Sequence, residues 1–220
     1  MKKQSKKSIC ISVGMPAAFL LWTVAIQLID VQAIGPRETV VGFATMNRFV
    51  HNLTGVHMSL YTITDWLGLV PFGFVLGFAS LGLIQWIKRG HFLKVDCDIL
   101  ILGVFYIAVM AVYILFEMFV VNYRPVLING YLEASYPSST TMLVMCVMPT
   151  AAMQLKTRIR NTVPKRIVIW LIIAFIAFMV IGRLVSGVHW ITDIIGGALL
   201  SAGLVILYRG VIRLKCFIEN

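Results

Sequence analysis

Charged residues are scarce in this chain. Only 13% of its 220 residues are Asp, Glu, Lys or Arg, and nine of them are acidic. Soluble domains carry about 25% charged residues. Hydrophobic residues make up 60% of the sequence and the mean hydropathy is +0.91. This composition excludes an ordinary soluble globular domain and indicates an integral membrane protein.

Cysteine is also sparse, with four residues at Cys10, Cys97, Cys146 and Cys216. No two of them have the short spacing that is typical of a zinc site or a disulfide framework. We therefore expect no disulfides. We also expect no cofactor. The sequence also has no internal repeat and no low-complexity tract.

Six apolar segments approach the length of about 20 residues that a transmembrane helix needs. We predict a single all-α membrane domain over residues 1–220, built as a six-helix bundle. Residues 30–65 mix Phe, Met and Leu with polar residues, which predicts short interfacial helices in the first outer loop. The predicted spans are residues 9–29, 66–87, 99–121, 140–155, 167–186 and 190–208.

The basic residues are distributed unequally between the two sides of the predicted bundle. With six spans, fifteen of the 19 Lys and Arg residues lie on the side of the termini. Lys and Arg concentrate in cytoplasmic loops, so we expect a multi-pass protein of a bacterial cell membrane with both termini cytoplasmic. The net charge of +10 is thus an orientation signal, and no nucleic-acid partner is expected. The oligomeric state stays open.

The unusual polar residues fall at the outer ends of the predicted spans. His189 and Asp193 are four residues apart, which on a helix would place them on one face and within reach. An Asp that binds one imidazole nitrogen leaves the other free to act as a nucleophile or base. Arg124 and Arg183 offer planar guanidinium groups that suit phosphate oxygens. The remaining candidates at this level are Glu117, Ser138, Ser139 and Thr140.

Together these residues resemble the type 2 phosphatidic acid phosphatase superfamily, whose blocks are K-x6-R-P, P-S-G-H and S-R-x5-H-x3-D. The third block keeps Arg183, five residues, His189, three residues and Asp193, with Gly182 in place of Ser. The first block keeps Arg124-Pro125, and the second keeps Pro137-Ser138.

The resemblance implies a membrane phosphatase that hydrolyses a lipid phosphate or a polyprenyl diphosphate without metal at the extracytoplasmic face. His189 would form a phosphohistidine, oriented by Asp193. Arg124 and Arg183 would clamp the phosphate, helped by the backbone near Ser138, Ser139 and Thr140. Lipid substrates would reach the site laterally from the outer leaflet.

Two positions depart from the family pattern. Glu117 replaces the Lys of the first block, and Thr140 replaces the general-acid His of the second. A Thr hydroxyl does not titrate near neutrality, and the loss of the acid matters least when the leaving group is itself a phosphate. Glu117 could pair with Arg124 or, as a protonated carboxyl, serve as a substitute acid. His51 and His57 are further candidates for that proton.

Two other functions remain open on the sequence. A catalytically weak relative could bind phosphorylated lipid, because two of the family's catalytic positions differ. A small transporter or channel could also carry polar residues at membrane depth, but few polar residues lie inside the other spans. Small-residue clusters in the sixth span fit close helix packing, which all three functions would use.

Overall fold

The computed structural model describes residues 2–218, with side chains for residues 14–214, and is almost entirely helical. Two-residue strands β1 (Gln32–Ala33) and β2 (Val40–Val41) pair antiparallel, and single 3₁₀ turns occupy Pro36–Glu38 and Phe92–Lys94. The α-helices are α1 Lys2–Leu28, α2 Ala44–Thr54, α3 Met58–Leu67, α4 Val70–Arg89, α5 Cys97–Met118, α6 Ser139–Arg158, α7 Thr162–Val185 and α8 Ile191–Ile218.

The all-α membrane fold predicted from the sequence is confirmed. Not every predicted span, however, is long and apolar enough to cross a membrane. Each predicted span corresponds to one long helix, and α2 and α3 are the short helices expected in residues 30–65. Four segments within the described residues are long and apolar enough to cross: Met58–Arg89, Cys97–Met118, Thr162–Val185 and Ile191–Leu214. The described side chains of α1 form only a shorter apolar stretch, Gly14–Leu28.

Helix α6 is the centre of the bundle. It packs against α4, α5, α7 and α8, and half of its 20 residues are buried, among them Val144, Cys146 and Met148. It also buries the polar side chains of Thr150 and Gln154. A helix that is surrounded by protein does not need an apolar outer face. This explains why α6 is not among the four segments that are long and apolar enough to cross a membrane.

The helix ends differ from the predicted span ends where polar residues continue a helix or a turn breaks it. Helix α8 runs to Ile218, ten residues past the predicted end of the span, because hydropathy marks the apolar run and not the helix. Helix α5 stops at Met118, with Phe119 in a non-helical conformation. The loop that follows, residues 119–138, returns the chain to the start of α6.

One end of the bundle collects the polar residues singled out in the sequence. Helices α5 and α7 end there and α6 and α8 begin there, with α3 packed on α7. Gly187 makes the turn between α7 and α8 with φ +69°, and a Cβ at this position would lie 1.9 Å from the Gly55 carbonyl oxygen. A side chain is excluded by both the backbone conformation and the close approach.

Candidate active site

His189 lies in the turn between α7 and α8, where its side chain is buried. Its Nδ1 is 3.9 Å from Asp193 Oδ2, which is too long for a hydrogen bond. The expectation that the two residues share one helical face was wrong, because α8 begins at Ile191, after the histidine. The pair is brought together by the turn, not by helical periodicity.

Ser135 stands between these two side chains, and no feature of the sequence predicts its position there. Its Oγ is 3.0 Å from His189 Nδ1 and also donates a hydrogen bond to Asp193 Oδ2. Ser135 comes from the loop between α5 and α6, two residues before the Pro137-Ser138 motif. A serine in a polar loop is ordinary, so only the three-dimensional arrangement reveals this contact.

Asp193 accepts further hydrogen bonds in the first turn of α8. The Trp190 backbone N–H donates to Oδ2 at 2.9 Å, and Asn122 Nδ2 donates to Oδ1 at 3.3 Å. Its backbone carbonyl accepts from the Ser138 N–H at 3.0 Å. Asp193 therefore caps its own helix and also ties α8 to the loop and to the start of α6.

Arg183, in the last turn of α7, is held mainly by α3. Its Nη2 donates to Asp65 Oδ1 at 2.9 Å and to Thr140 Oγ1 at 2.5 Å. Its Nη1 donates to Thr64 Oγ1 at 3.4 Å and to the Tyr61 carbonyl at 3.5 Å. The side chain is almost completely buried, whereas Asp65 is 57% exposed at the rim.

Arg124 pairs with Glu133 and not with Glu117, which corrects one of the two explanations offered for Glu117. The Nε of Arg124 and Oε2 of Glu133 are 3.1 Å apart, and the Arg124 backbone N–H donates to the Glu133 carbonyl at 3.1 Å. The reason is that α5 ends at Met118, so Arg124 does not continue the helical face of Glu117. Instead, an antiparallel bridge between Tyr123 and Ala134 sets Arg124 beside Glu133.

Tyr61 brings the two arginines together. The guanidinium carbon of Arg183 lies 4.9 Å from the centre of the Tyr61 ring, and that of Arg124 lies 5.7 Å from it. Both distances are within the range of a cation–π interaction. The sequence showed only that Tyr61 belongs to an amphipathic segment, so its role as a common support was not predicted.

Several buried polar atoms in this cluster have no hydrogen-bond partner among the described residues. Of seven such side-chain atoms, four belong to three residues: Arg124 Nε and Nη1, Arg183 Nε and His189 Nε2. Arg124 Nε is close enough to Glu133 for an ion pair, but the pair does not have the geometry of a hydrogen bond. Buried polar groups are nearly always satisfied, so each exception needs an explanation. Here the unsatisfied N–H groups and the free imidazole nitrogen belong to residue types that bind a phosphoryl group.

The second sequence block forms the start of α6. Ser138 is the N-cap, and its Oγ accepts a hydrogen bond from the Thr141 N–H at 3.5 Å. The hydroxyl of Thr140 accepts from Arg183, as described above. Ser139 is half-buried and faces a different cavity. Of the residues expected to help hold phosphate, Thr140 therefore contacts Arg183, whereas Ser139 lines the other cavity.

Glu117 lines that small cavity. Ser135 and Ser139 line it as well, together with the apolar side chains of Phe116 and Met142. Ser135 is thus shared between the cavity and the His189–Asp193 pair. Glu117 therefore shares a cavity with Ser135, which contacts the histidine.

The environment of His189 favours its neutral form. Burial lowers the pKa of His189 to about 4, and the positive charge of Arg124 acts in the same direction. Asp193 opposes the shift without cancelling it. The imidazole is therefore uncharged at neutral pH, which a nucleophile or base requires.

The other two histidines proposed as proton donors have different surroundings. The ring of His51 packs against Trp190 at 5.5 Å between centroids. His57 is exposed, with its Nε2 2.9 Å from the Thr54 carbonyl oxygen. Within residues 14–214, no group of three or more His, Cys, Asp or Glu residues is arranged to hold a metal ion.

Comparison with known proteins gives a family for this arrangement. A profile of the PAP2 superfamily matches residues 74–215, about two thirds of the chain, which include every residue of the three sequence blocks. The chain belongs to the PAP2 superfamily. The resemblance inferred from the spacing of the blocks is therefore confirmed at the level of the family.

A solved PAP2 structure has the same fold. The crystal structure of the first transmembrane PAP2-type phosphatidylglycerolphosphate phosphatase from Bacillus subtilis matches with a TM-score of 0.61. The match covers 93% of this chain and 96% of that chain at 18% sequence identity, so the likeness is one of fold. Among curated proteins, no relative matches.

Proposed function

We propose that this PAP2 protein hydrolyses a phosphate ester or diphosphate of a membrane lipid at the extracytoplasmic face, through a phosphohistidine at His189. The observation that carries the proposal is the set of unsatisfied buried nitrogens on Arg124, Arg183 and His189. A phosphoryl group would supply acceptor oxygens to the arginines and a phosphorus atom to the histidine. Preorganised donors of this kind stabilise the charge that develops during phosphoryl transfer.

The proposed reaction has two steps. The Nε2 lone pair of His189 forms a bond to phosphorus while the bond from phosphorus to the leaving oxygen breaks, and that oxygen takes up a proton. A water molecule then forms a bond to phosphorus, the N–P bond breaks, its electron pair returns to Nε2, and a proton leaves the water. Arg124 and Arg183 hold the phosphoryl oxygens in both steps.

Glu117 is our candidate for the group that moves these protons, because Thr140 cannot do so. A protonated Glu117 would give its proton to the leaving oxygen and, as a carboxylate, would then accept one from water. Its position in the same cavity as Ser135 and Ser139 supports this role. General acid catalysis is typically worth about 10²–10⁴-fold, so Glu117→Gln should slow hydrolysis of a lipid monophosphate more than of a diphosphate.

An apolar groove beside the site supports a lipid as the substrate. The groove is open to the surface and runs between α4, α5 and α6, where Phe72, Val109 and Leu143 line it. Leu143 lies one helical turn after Thr140, so the groove begins close to the arginine cluster. An acyl or prenyl chain could occupy it while the phosphate faces His189.

The test is phosphate release by purified protein in detergent with a chelator present. The panel comprises phosphatidic acid, phosphatidylglycerol phosphate and a polyprenyl diphosphate. We expect release from at least one lipid, loss of release in His189→Ala, and wild-type rates in the matched variant His91→Ala, whose exposed side chain lies between α4 and α5 at the other end of the bundle. Release that persists in His189→Ala, or none from any lipid, would refute the proposal.

A second candidate function is binding of phosphorylated lipid with little turnover. It is favoured by the carboxylates of Asp65 and Glu133 on the two arginines and by the substitution of the general acid at Thr140. In that case His189→Ala should leave lipid binding intact, and no phosphohistidine should form. Acid-labile phosphate trapped on His189 after brief mixing with substrate would rule out this binding function. If the protein is instead a phosphatase, the double variant Thr140→His with Glu117→Lys should have a higher monophosphatase activity than wild type.

A further inference from the structure

We propose that Ser135 is a positioning residue that carries the hydrogen bond between Asp193 and His189, so that the site works through a three-residue chain. The inference rests on the proposed function for its catalytic consequence. The three side chains are almost fully buried, with 2% of Ser135, 3% of His189 and none of Asp193 exposed. At this depth the hydrogen bonds among the three side chains are strengthened by the low local dielectric, and their mutual geometry decides the protonation pattern.

The distances assign the connection to Ser135. His189 Nδ1 is 3.0 Å from Ser135 Oγ but 3.9 Å from Asp193 Oδ2. Ser135 Oγ is itself hydrogen-bonded to that same carboxylate oxygen. The carboxylate therefore reaches the imidazole through the hydroxyl and not directly.

The proton positions follow from the donors and acceptors available. The hydrogen bond from Ser135 Oγ to Asp193 Oδ2 uses the single hydroxyl proton of Ser135. Ser135 Oγ can then only accept from His189, which places the ring proton on Nδ1. In the neutral imidazole, Nε2 consequently carries the lone pair, and Nε2 is the buried nitrogen without a partner in the described protein. Ser135 thus selects the tautomer that a nucleophilic Nε2 requires.

Ser135 is held in place on both sides. Its backbone N–H donates to the Asn122 carbonyl at 2.9 Å, and the side chain of Asn122 donates to Asp193. The next residue, Tyr136, is buried and its hydroxyl lies 2.7 Å from Thr23 Oγ1. The hydroxyl of Ser135 therefore has little freedom to leave the His189–Asp193 gap.

The consequence for catalysis is charge stabilisation. When Nε2 becomes bonded to phosphorus, the ring becomes cationic and its Nδ1–H donates more strongly to Ser135 Oγ. The negative charge of Asp193 acts on that cation through the polarised hydroxyl. Loss of a hydrogen bond to a charged group is expected to slow the step by about 10- to 100-fold.

The experiment compares Ser135→Ala and Ser135→Thr in the full chain, with Ser201→Ala as a matched control. Ser201 is a fully buried serine of α8 whose hydroxyl bonds the backbone carbonyls of Gly197 and Met142 and also the side chain of Cys146, away from the His189 cluster. We expect Ser135→Ala to lower kcat by about 10- to 100-fold at unchanged KM and to slow phosphohistidine formation equally. Ser135→Thr should keep most of kcat, because it keeps the hydroxyl.

A second readout separates this inference from the proposed function. In histidine-selectively ¹⁵N-labelled protein, with the His189 signal assigned by His189→Gln, the nitrogen shifts report which ring nitrogen carries the proton even if no lipid is hydrolysed. We expect the Nδ1–H form in wild type and in Ser201→Ala, and a mixture of tautomers in Ser135→Ala. An unchanged Nδ1–H signal in Ser135→Ala would overturn the inference, as would a wild-type kcat in that variant.

Discussion

At the scale of single residues, the site has an unusual balance of charge for one that is proposed to bind an anion. Each arginine already contacts a carboxylate: Arg183 contacts Asp65, and Arg124 contacts Glu133. Both carboxylates are partly exposed at the rim, whereas both guanidinium groups are buried. A phosphoryl group that binds the unsatisfied N–H groups of the arginines is therefore repelled by the negative charge of these carboxylates.

Asp65→Asn is therefore expected to strengthen inhibition by inorganic phosphate or vanadate. Exposed ion pairs are worth about 0.2–1 kcal/mol, which corresponds to an inhibition constant lowered by about 1.4- to 5-fold. Glu38→Gln, which removes a similar charge from the outer loop but has no arginine partner in the described structure, is the matched control. Weaker inhibition in Asp65→Asn would mean that the carboxylate mainly orients Arg183.

The pH dependence of the reaction also belongs to a single residue. Because burial lowers the pKa of His189 to about 4, we expect the acid limb of kcat/KM to fall near pH 4 and not near 6.5. The same shift makes the free energy of unfolding depend on pH. Between pH 6.5 and about 4 the unfolded chain binds a proton that the folded chain does not, so the protein becomes less stable as the pH falls. Thermal unfolding of wild type and His189→Gln across this range measures it, and equal pH dependence would contradict the assignment.

At the scale of secondary structure elements, the sequence predicted what depends on local pattern. The apolar runs located all six long helices, and the block spacing located Arg124, Arg183, His189 and Asp193. The sequence did not predict the positions of Ser135 and Tyr61, because these depend on contacts between segments far apart in the chain. The His189–Asp193 geometry was also missed, since sequence spacing alone does not reveal that α8 begins between them.

The contact between α8 and the loop before α6 is a test of this non-local geometry. A Cβ on Gly196 would lie 2.3 Å from the ring of Tyr136, which is stacked on Phe19. Gly196→Ala should destabilise the protein by about 1–3 kcal/mol through overpacking and should lower kcat, because Tyr136 adjoins Ser135. Gly210→Ala, on the same helix with no atom within 4 Å of its added Cβ, should be neutral or slightly stabilising. Equal melting temperatures for the two variants in detergent would argue against tight packing at Gly196.

At the scale of the whole molecule, the two ends of the bundle differ in charge and in chemistry. The end that carries His189 has few basic residues, and two of them, Arg124 and Arg183, belong to the site. The opposite end carries Lys88, Arg89 and the basic last turn of α6. This asymmetry is the basis for expecting the site at the extracytoplasmic face.

Cysteine labelling tests that orientation in a variant whose four native cysteines are replaced by serine. Tyr131→Cys lies in the exposed part of the loop at the His189 end, and Asn161→Cys lies in the exposed turn between α6 and α7 at the other end. A membrane-impermeant maleimide should label Tyr131→Cys in intact cells, and Asn161→Cys only after permeabilisation. The positive-inside distribution requires this pattern, because translocating the basic end would move most of the Lys and Arg residues across the bilayer. The reverse pattern would place His189 in the cytoplasm, and a lipid phosphate of the inner leaflet would then be the substrate to test.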